Sequence, residues 1–149
     1  MIRFATAKDL DAVEPLGRKF FEEAKHPGTW NGEHWKQTWS RVMELAGGFV
    51  LLWEEDGKLV GFLGGMLSQD PFSGEHVASE NFWFVDPAHR KGLGAIRLLA
   101  AFEQHAKSAG CDRIYMVHLA SLTPGALERL YQRRGYELVE QTFRKNLWQ

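Results

Sequence analysis

The stretch Val85-Asp86-Pro87-Ala88-His89-Arg90-Lys91-Gly92-Leu93-Gly94-Ala95-Ile96-Arg97-Leu98-Leu99 decides the reading of this sequence. An apolar strand runs into an Asp-Pro turn, two glycines follow, and a helix opens behind them. A helix N-terminus presents amides without acceptors and the positive end of the backbone dipole, so it attracts an anion. Gly92 and Gly94 remove side chains where a phosphate would approach, and Arg90 and Lys91 bring cationic donors to the same turn. The pattern suits a phosphorylated ligand. It also suits a plain strand-to-helix turn that needs glycine for its backbone angles. A dinucleotide fingerprint is not supported, because the third glycine is missing and the preceding run reads as antiparallel; a Walker loop is absent.

Downstream of the turn, Ala95, Leu98, Leu99, Phe102, Ala106 and Ala109 form a helical stripe that faces a core, and Gly110 closes the helix. Arg113 to Leu119 reads as a strand. Thr123 as N-cap and Pro124 at the first helical position open a short helix through Leu127, Leu130 and Tyr131 to Gly135. Tyr136 to Val139 and Thr142 to Leu147 read as a closing hairpin.

Upstream, Val77 to Val85 is a strand on which a period of two places Glu80, Phe82 and Phe84 on one face. Phe49 to Trp53 and Leu59 to Leu67 pair through Asp56-Gly57, a strong hairpin signal. Gly61, Gly64 and Gly65 suggest a bulge or close backbone packing. Two amphipathic helices come before these strands. Leu10, Val13, Phe20, Phe21 and Ala24 mark the first, in which Pro15 predicts a kink or division, and Trp35, Trp39, Val42, Met43 and Ala46 mark the second. Ile2 to Phe4 is a short strand, and Thr6 with Asp9 resembles a capping box. The fold class is α/β (α+β), a mixed, mostly antiparallel sheet flanked by helices in one domain over 1–149.

The chain has 149 residues, 44% hydrophobic and 25% charged, with 18 Lys+Arg against 19 Asp+Glu for a net charge of −1. That balance supplies no field for gathering nucleic acid or an anionic membrane, and no run of about 18 apolar residues occurs. Neither a nucleic-acid nor a membrane partner is expected, and the default location is cytoplasmic. The single cysteine, Cys111, excludes an internal disulfide and reads as a small buried residue rather than a nucleophile. Six histidines lie scattered without ligand spacing, so no metal site is expected. Arg129, Arg133, Arg134, Arg144 and Lys145 make the C-terminal end basic, which suits a solvated face, the vicinity of ligand phosphates or an RNA contact.

The Val85–Leu99 stretch resembles the acetyl-coenzyme A signature of the GNAT N-acetyltransferases, in which a V-x-P strand end precedes Q/R-x-x-G-x-G/A. Leu130-Tyr131-Gln132-Arg133-Arg134-Gly135-Tyr136 is similar to that family's second landmark, a helix carrying L-Y-x-x-x-G-F/Y. Arg90 stands at the family's usual distance from Pro87; counted back from Gly92 and Gly94, His89 takes that place. Pro124 and Leu127 stand where the family often has an Asn and an Ala.

The resemblance implies a GNAT-like fold over the whole chain and acetyl-CoA as cosubstrate, with no metal. It places the coenzyme against Phe84, Val85, Arg90, Lys91, Gly92, Leu93, Gly94 and Ala95. The reaction it implies is transfer to a primary amine of a small molecule or peptide by direct attack, and it allows a homodimer. Such attack needs a base for the protonated amine, donors for the oxyanion and a proton for the leaving thiolate. Tyr131 matches the family's acid, and a phenol with a pKa near 10 can protonate a thiolate whose acid lies near 8.5. The residue-level alternative is a packing aromatic. Glu80 resembles the strand glutamate that serves some members as base, directly or through water; its alternative is a solvated strand end. Oxyanion donors would be backbone amides near Phe84 or Val85.

Phe20, Phe21, Trp30, Trp35 and Trp39, with Glu22, Glu23 and Glu33, would frame a cationic or aromatic acceptor, although the same spacing suits a buried helix face. The competing functional class is a catalytically weak acyl-CoA-binding or regulatory domain.

Overall fold

In the computed structural model, which describes residues 1–119 and 125–148, the apolar runs form strands β1 (Ile2–Phe4), β2 (Gly48–Glu55), β3 (Lys58–Gln69), β4 (His76–Val85) and β5 (Arg113–Tyr115). They lie side by side in sequence order, antiparallel except for the parallel β4–β5 pair. The β2–β3 hairpin turns as its sequence requires. Glu55 pairs with Lys58, and Asp56 at φ +49° with Gly57 at φ +73° supplies the two left-handed residues of a tight primed turn.

Helices α1 (Leu10–Glu23) and α2 (Gly32–Glu44) cover one face of the sheet, and α3 (Gly94–Ser108) covers the other. Val13, Leu16 and Trp39 meet Leu52, Phe62, Phe82 and Phe84 on the first face. On the second, Leu98, Phe102 and Ala106 meet Phe49, Leu51, Leu63 and Val85. Phe62, Leu52, Leu63, Leu98 and Phe102 are all but fully buried, and each such side chain contributes about 1.5–3 kcal/mol over its exposed state.

The helix α1 is not divided at Pro15. Its lost donor would have paired with the Asp11 carbonyl, and both residues lie on the exposed side, where water satisfies that oxygen. The Thr6 N–H donates to Asp9 Oδ2 at 2.8 Å, the half of the capping box that the pattern predicts, Thr6 Oγ1 donates to the same oxygen at 3.0 Å, and Asn31 caps α2 by accepting from His34 N–H at 3.0 Å.

One strand departs from its predicted geometry. Gly64 opposes Phe82, but its neighbour Gly65 opposes Glu80, so Asn81 is an extra residue in β4. The glycines make room for this: a Cβ on Gly64 would meet the Phe82 ring at 2.5 Å, and one on Gly65 would meet Phe102 at 2.7 Å. Neighbouring residues of β3 point to opposite faces, and so do their partners. Glu80 therefore faces the α3 side, whereas Phe82 and Phe84 face α1 and α2, and the predicted common face does not hold.

The molecule divides into two compact units, Met1–Val117 and His118–Gln149. The second holds α4 (Ala126–Arg133), preceded by Gly125 at φ +78° and ended by Gly135 at φ +86°. Thr123 and Pro124 lie outside the described residues. Residues 136–148 carry no strand, contrary to the predicted hairpin. Leu138 and Val139, which a half-buried strand would send to opposite faces, are 73% and 65% exposed. Alternating apolar residues without a surface to cover have nothing to favour pairing.

Candidate active site

The turn after β4 is built from local rules. Asp86 Oδ1 accepts the Ala88 N–H at 3.1 Å and caps a single 3₁₀ turn, Pro87–His89, with Pro87 at its first position. Gly92 then takes φ +134°, a backbone angle reserved for glycine, and a Cβ there would meet nothing within 4 Å. Gly94 answers a different demand, because a Cβ there would fall 2.0 Å from the Trp53 ring. The first glycine shapes the backbone and leaves space, while the second lets α3 dock on β2.

Leu93 heads α3 without a side-chain cap, so the first amides of this 15-residue helix keep their capacity to donate. They border a cavity of about 620 Å³ lined also by His89, Lys91, Gly92 and Arg97. His89 packs edge-on against Trp53, with ring centroids 6.2 Å apart. Uncapped amides, a side-chain-free position and the cationic side chains of Lys91 and Arg97 suit a diphosphate, so this lining fits the coenzyme the sequence suggests.

Arg90 does not turn toward that cavity with its fork. Nη1 and Nη2 donate to Glu23 Oε1 and Oε2 at 2.6 and 2.8 Å, and Nε donates to the Val85 carbonyl at 2.8 Å. Phe84 and Val85 are both buried at the end of β4, where Phe84 faces α1 and Val85 faces α3.

Glu80 lies where β4 and β5 part. The parallel ladder runs Val77–Arg113, Ala78–Ile114 and Ser79–Tyr115 and then stops, two residues short of the extra residue Asn81. The Val117 N–H donates instead to Glu80 Oε2 at 2.8 Å. A side chain thus takes the place of a ladder bond, which is why β5 ends at Tyr115 rather than reaching Leu119. Glu80 is 6% exposed, and burial pushes its carboxyl up to about 7, against the opposing effect of the Val117 bond.

Tyr131 belongs to the second unit. It is the buried residue of α4, 8% exposed, with its ring 5.4 Å from that of Tyr136. Within the first unit the structure brings Phe84, Val85 and Arg90 through Ala95 together at one end of β4, with Glu80 farther back on the same strand.

The N-terminal aromatics form a continuous array. Phe21, Trp30, Trp35, Trp39 and Phe82 follow one another at centroid separations of 3.9–6.5 Å, and Trp30 Nε1 donates to Glu14 Oε1 at 2.7 Å. The acids expected to supply negative charge there are each matched: Glu22 by Arg18, Glu23 by Arg90 and Glu33 by Lys36. Residues 67 positions apart, such as Glu23 and Arg90, carry no sequence signal of such pairing.

Cys111 is half-buried beside the α3 core, and burial raises its thiol pKa, as suits a packing residue. Among the described residues no three His, Cys, Asp or Glu side chains converge as a metal site, and no helix is long and apolar enough to cross a membrane.

Solved acetyltransferases share this architecture. A ribosomal-protein-alanine N-acetyltransferase from Brucella melitensis biovar Abortus 2308 superposes with a TM-score of 0.75 at 16% identity, over 99% of each chain. An acetyltransferase from Trypanosoma brucei gives 0.76 at 18% identity, again over 99% of each. An aminoglycoside N-acetyltransferase in complex with CoA gives 0.76 at 18% identity over 98% of this chain and 93% of that one. No curated protein matches the chain by sequence. The description Acetyltransferase (GNAT) family matches residues 11–136, the span from α1 through the Tyr131 helix, and the chain belongs to that family.

Proposed function

We propose that this protein transfers acetyl from acetyl-CoA to a primary amine of a small molecule or peptide by direct attack. The observation that carries the reading is the turn Arg90–Leu93. It presents an uncapped α3 N-terminus, with Gly92 open to space, on a cavity flanked by Lys91 and Arg97. Phe84, Val85 and Arg90 through Ala95 form the coenzyme side of the site. The backbone amides around Leu93, Gly94 and Ala95 would take the diphosphate, with Lys91 as a nearby cation.

Two side chains carry the proton transfers. Glu80, directly or through one water, takes the proton that the ammonium acceptor must shed before its lone pair can attack the thioester carbon. A carboxyl near 7 serves this better at neutral pH than one near 4.5, because base strength and the ionised fraction are then balanced. Backbone N–H groups near Phe84 and Val85 stabilise the oxyanion. As the carbon–sulfur bond breaks, Tyr131 gives its phenolic proton to the thiolate, and the acceptor leaves as an amide.

One observation favours a second reading, a coenzyme-binding domain with little transfer: Glu80 already accepts the Val117 N–H and has a structural task at the strand split. Thiol release from acetyl-CoA across polyamines, aminoglycosides, amino acids and peptides separates the two. Turnover that falls about 10²-fold or more in Tyr131→Phe supports the enzyme. Thermal stabilisation by the coenzyme with no turnover on any acceptor supports the binder.

A further inference from the structure

The turn Val85–Leu93 is fastened to α1 by two ion pairs in matched register. Lys19 and Glu23 stand four residues apart and so on one side of the helix, and Asp86 and Arg90 stand four apart on the turn. Lys19 Nζ meets Asp86 Oδ2 at 2.5 Å, and Arg90 holds Glu23 with both Nη groups. Charges of opposite sign thus alternate along both partners, so a slip of α1 along the turn would oppose like charges. Arg90 is also tied below, through Nε to the Val85 carbonyl, and its guanidinium carbon lies 5.2 Å from the Phe84 ring centroid.

Three of the five N–H groups of the Arg90 fork are therefore committed to oxygens of this chain. To embrace a diphosphate, the fork would have to release a carboxylate, exchanging one anion for another and leaving Glu23 facing the newly bound phosphates. A permanently charged planar fork is equally suited to holding two segments in fixed geometry.

We propose that Arg90 is a positioning residue: pinned by Glu23 to α1, it sets the strand end at Val85 and the amides of the Lys91–Gly94 turn to receive the coenzyme diphosphate, without touching it. The proposal rests on the turn being the coenzyme site. It makes Glu23, an acid close to a polyanion site, a residue that supports polyanion binding. Simple electrostatics has the opposite sign, since removing an acid beside bound phosphates tightens them.

That opposition provides the test. Coenzyme A is titrated calorimetrically into the wild type, Glu23→Gln, Arg90→Ala and the double variant at low and moderate salt, below the melting temperature of each. Each single variant is expected to bind about fivefold more weakly, and the double variant about fivefold rather than about 25-fold, because both remove one clasp. The salt dependence of binding stays that of the wild type in the double variant, which removes both charges together and loses no phosphate contact. Arg90→Lys, which keeps the charge but loses the fork, does not restore affinity.

Binding by Glu23→Gln that equals or exceeds the wild type overturns the proposal, as does additivity or a flattened salt dependence in the double variant. A wild type that fails to bind coenzyme A overturns the functional reading itself, and the clasp's role with it. A wild type that binds, beside a Glu23→Gln variant that binds as tightly, removes the clasp alone.

Discussion

The turn between β4 and α3 and the point where β4 parts from β5 use carboxylates in opposite ways. At the turn, Asp86 and Glu23 each face a cation near the surface, and Lys19 holds the Asp86 carboxyl below its usual range. At the split, Glu80 is buried with an amide as its partner, and among the described residues no cation faces it. An exposed ion pair forms cheaply and contributes little, whereas a buried carboxylate costs the fold whenever it ionises. Charge therefore shapes the turn at small energetic consequence, while at the split it is a standing cost that other packing must offset.

The largest test of that contrast is Glu80→Gln, whose amide oxygen can still accept the Val117 N–H. The folded Glu80 carboxyl sits near 7, above its ordinary 4.5, so the fold takes up a proton more readily than the unfolded chain. Its contribution to stability is full below about pH 4.5 and is lost as pH rises through about 7. The wild type is expected to lose about 3 kcal/mol relative to Glu80→Gln between pH 4.5 and 8, read from urea unfolding at a series of pH values. Parallel stability curves would show that Glu80 is not held neutral and would erase the contrast. Transfer assayed on the same variant is expected to fall by about 10²-fold or more, with the wild-type rate rising through an inflection near 7.

Shape ought to matter more than charge at the turn, and Gly94→Ala measures it. The added Cβ would lie 2.0 Å from a Trp53 ring that is itself 8% exposed, so α3 or the indole must shift. The expected loss is about 1–3 kcal/mol by thermal or urea unfolding. Gly92→Ala meets no atom within 4 Å but strains a φ of +134°, and about 1 kcal/mol is expected there. A smaller loss at 94 than at 92 would mean that docking on Trp53 does not set the helix.

These differences follow what the sequence made legible. Asp56-Gly57 and the capping residues Thr6, Asp9 and Asn31 act on neighbours within a few positions, so their outcome could be read directly; Val85 through Leu99 was legible for the same reason. Gly64-Gly65 signalled a bulge, but which strand carries the extra residue depends on Phe82 and Phe102, which arrive from elsewhere in the chain. A period of two cannot register the extra residue Asn81, so the face of Glu80 is not legible in the sequence. The length of β5 is not legible locally, because the Val117 amide goes to a side chain 37 residues earlier. At residues 136–148 the alternation is present, but Leu138 and Val139 stay exposed, and among the described residues of their unit no surface makes use of it.

The smallest expected effect is Asp86→Asn, and it bears on the surface half of the contrast. Asn keeps the side-chain oxygen that caps Ala88 and loses the charge that meets Lys19, so the substitution separates the two contributions. Lys19 is 55% exposed, which places the pair among those worth about 0.5 kcal/mol. The folded Asp86 carboxyl lies below its ordinary value, so its stabilisation is present above about pH 3.8 and is lost as pH falls through the folded value. Unfolding midpoints of wild type and Asp86→Asn should therefore differ slightly at pH 7, converge as pH falls below the folded value, and converge at pH 7 as well when salt is raised to about 1 M. A loss of 2 kcal/mol or more at pH 7 that salt does not reduce would make the turn's charge as consequential as the buried one and end the distinction between the two regions.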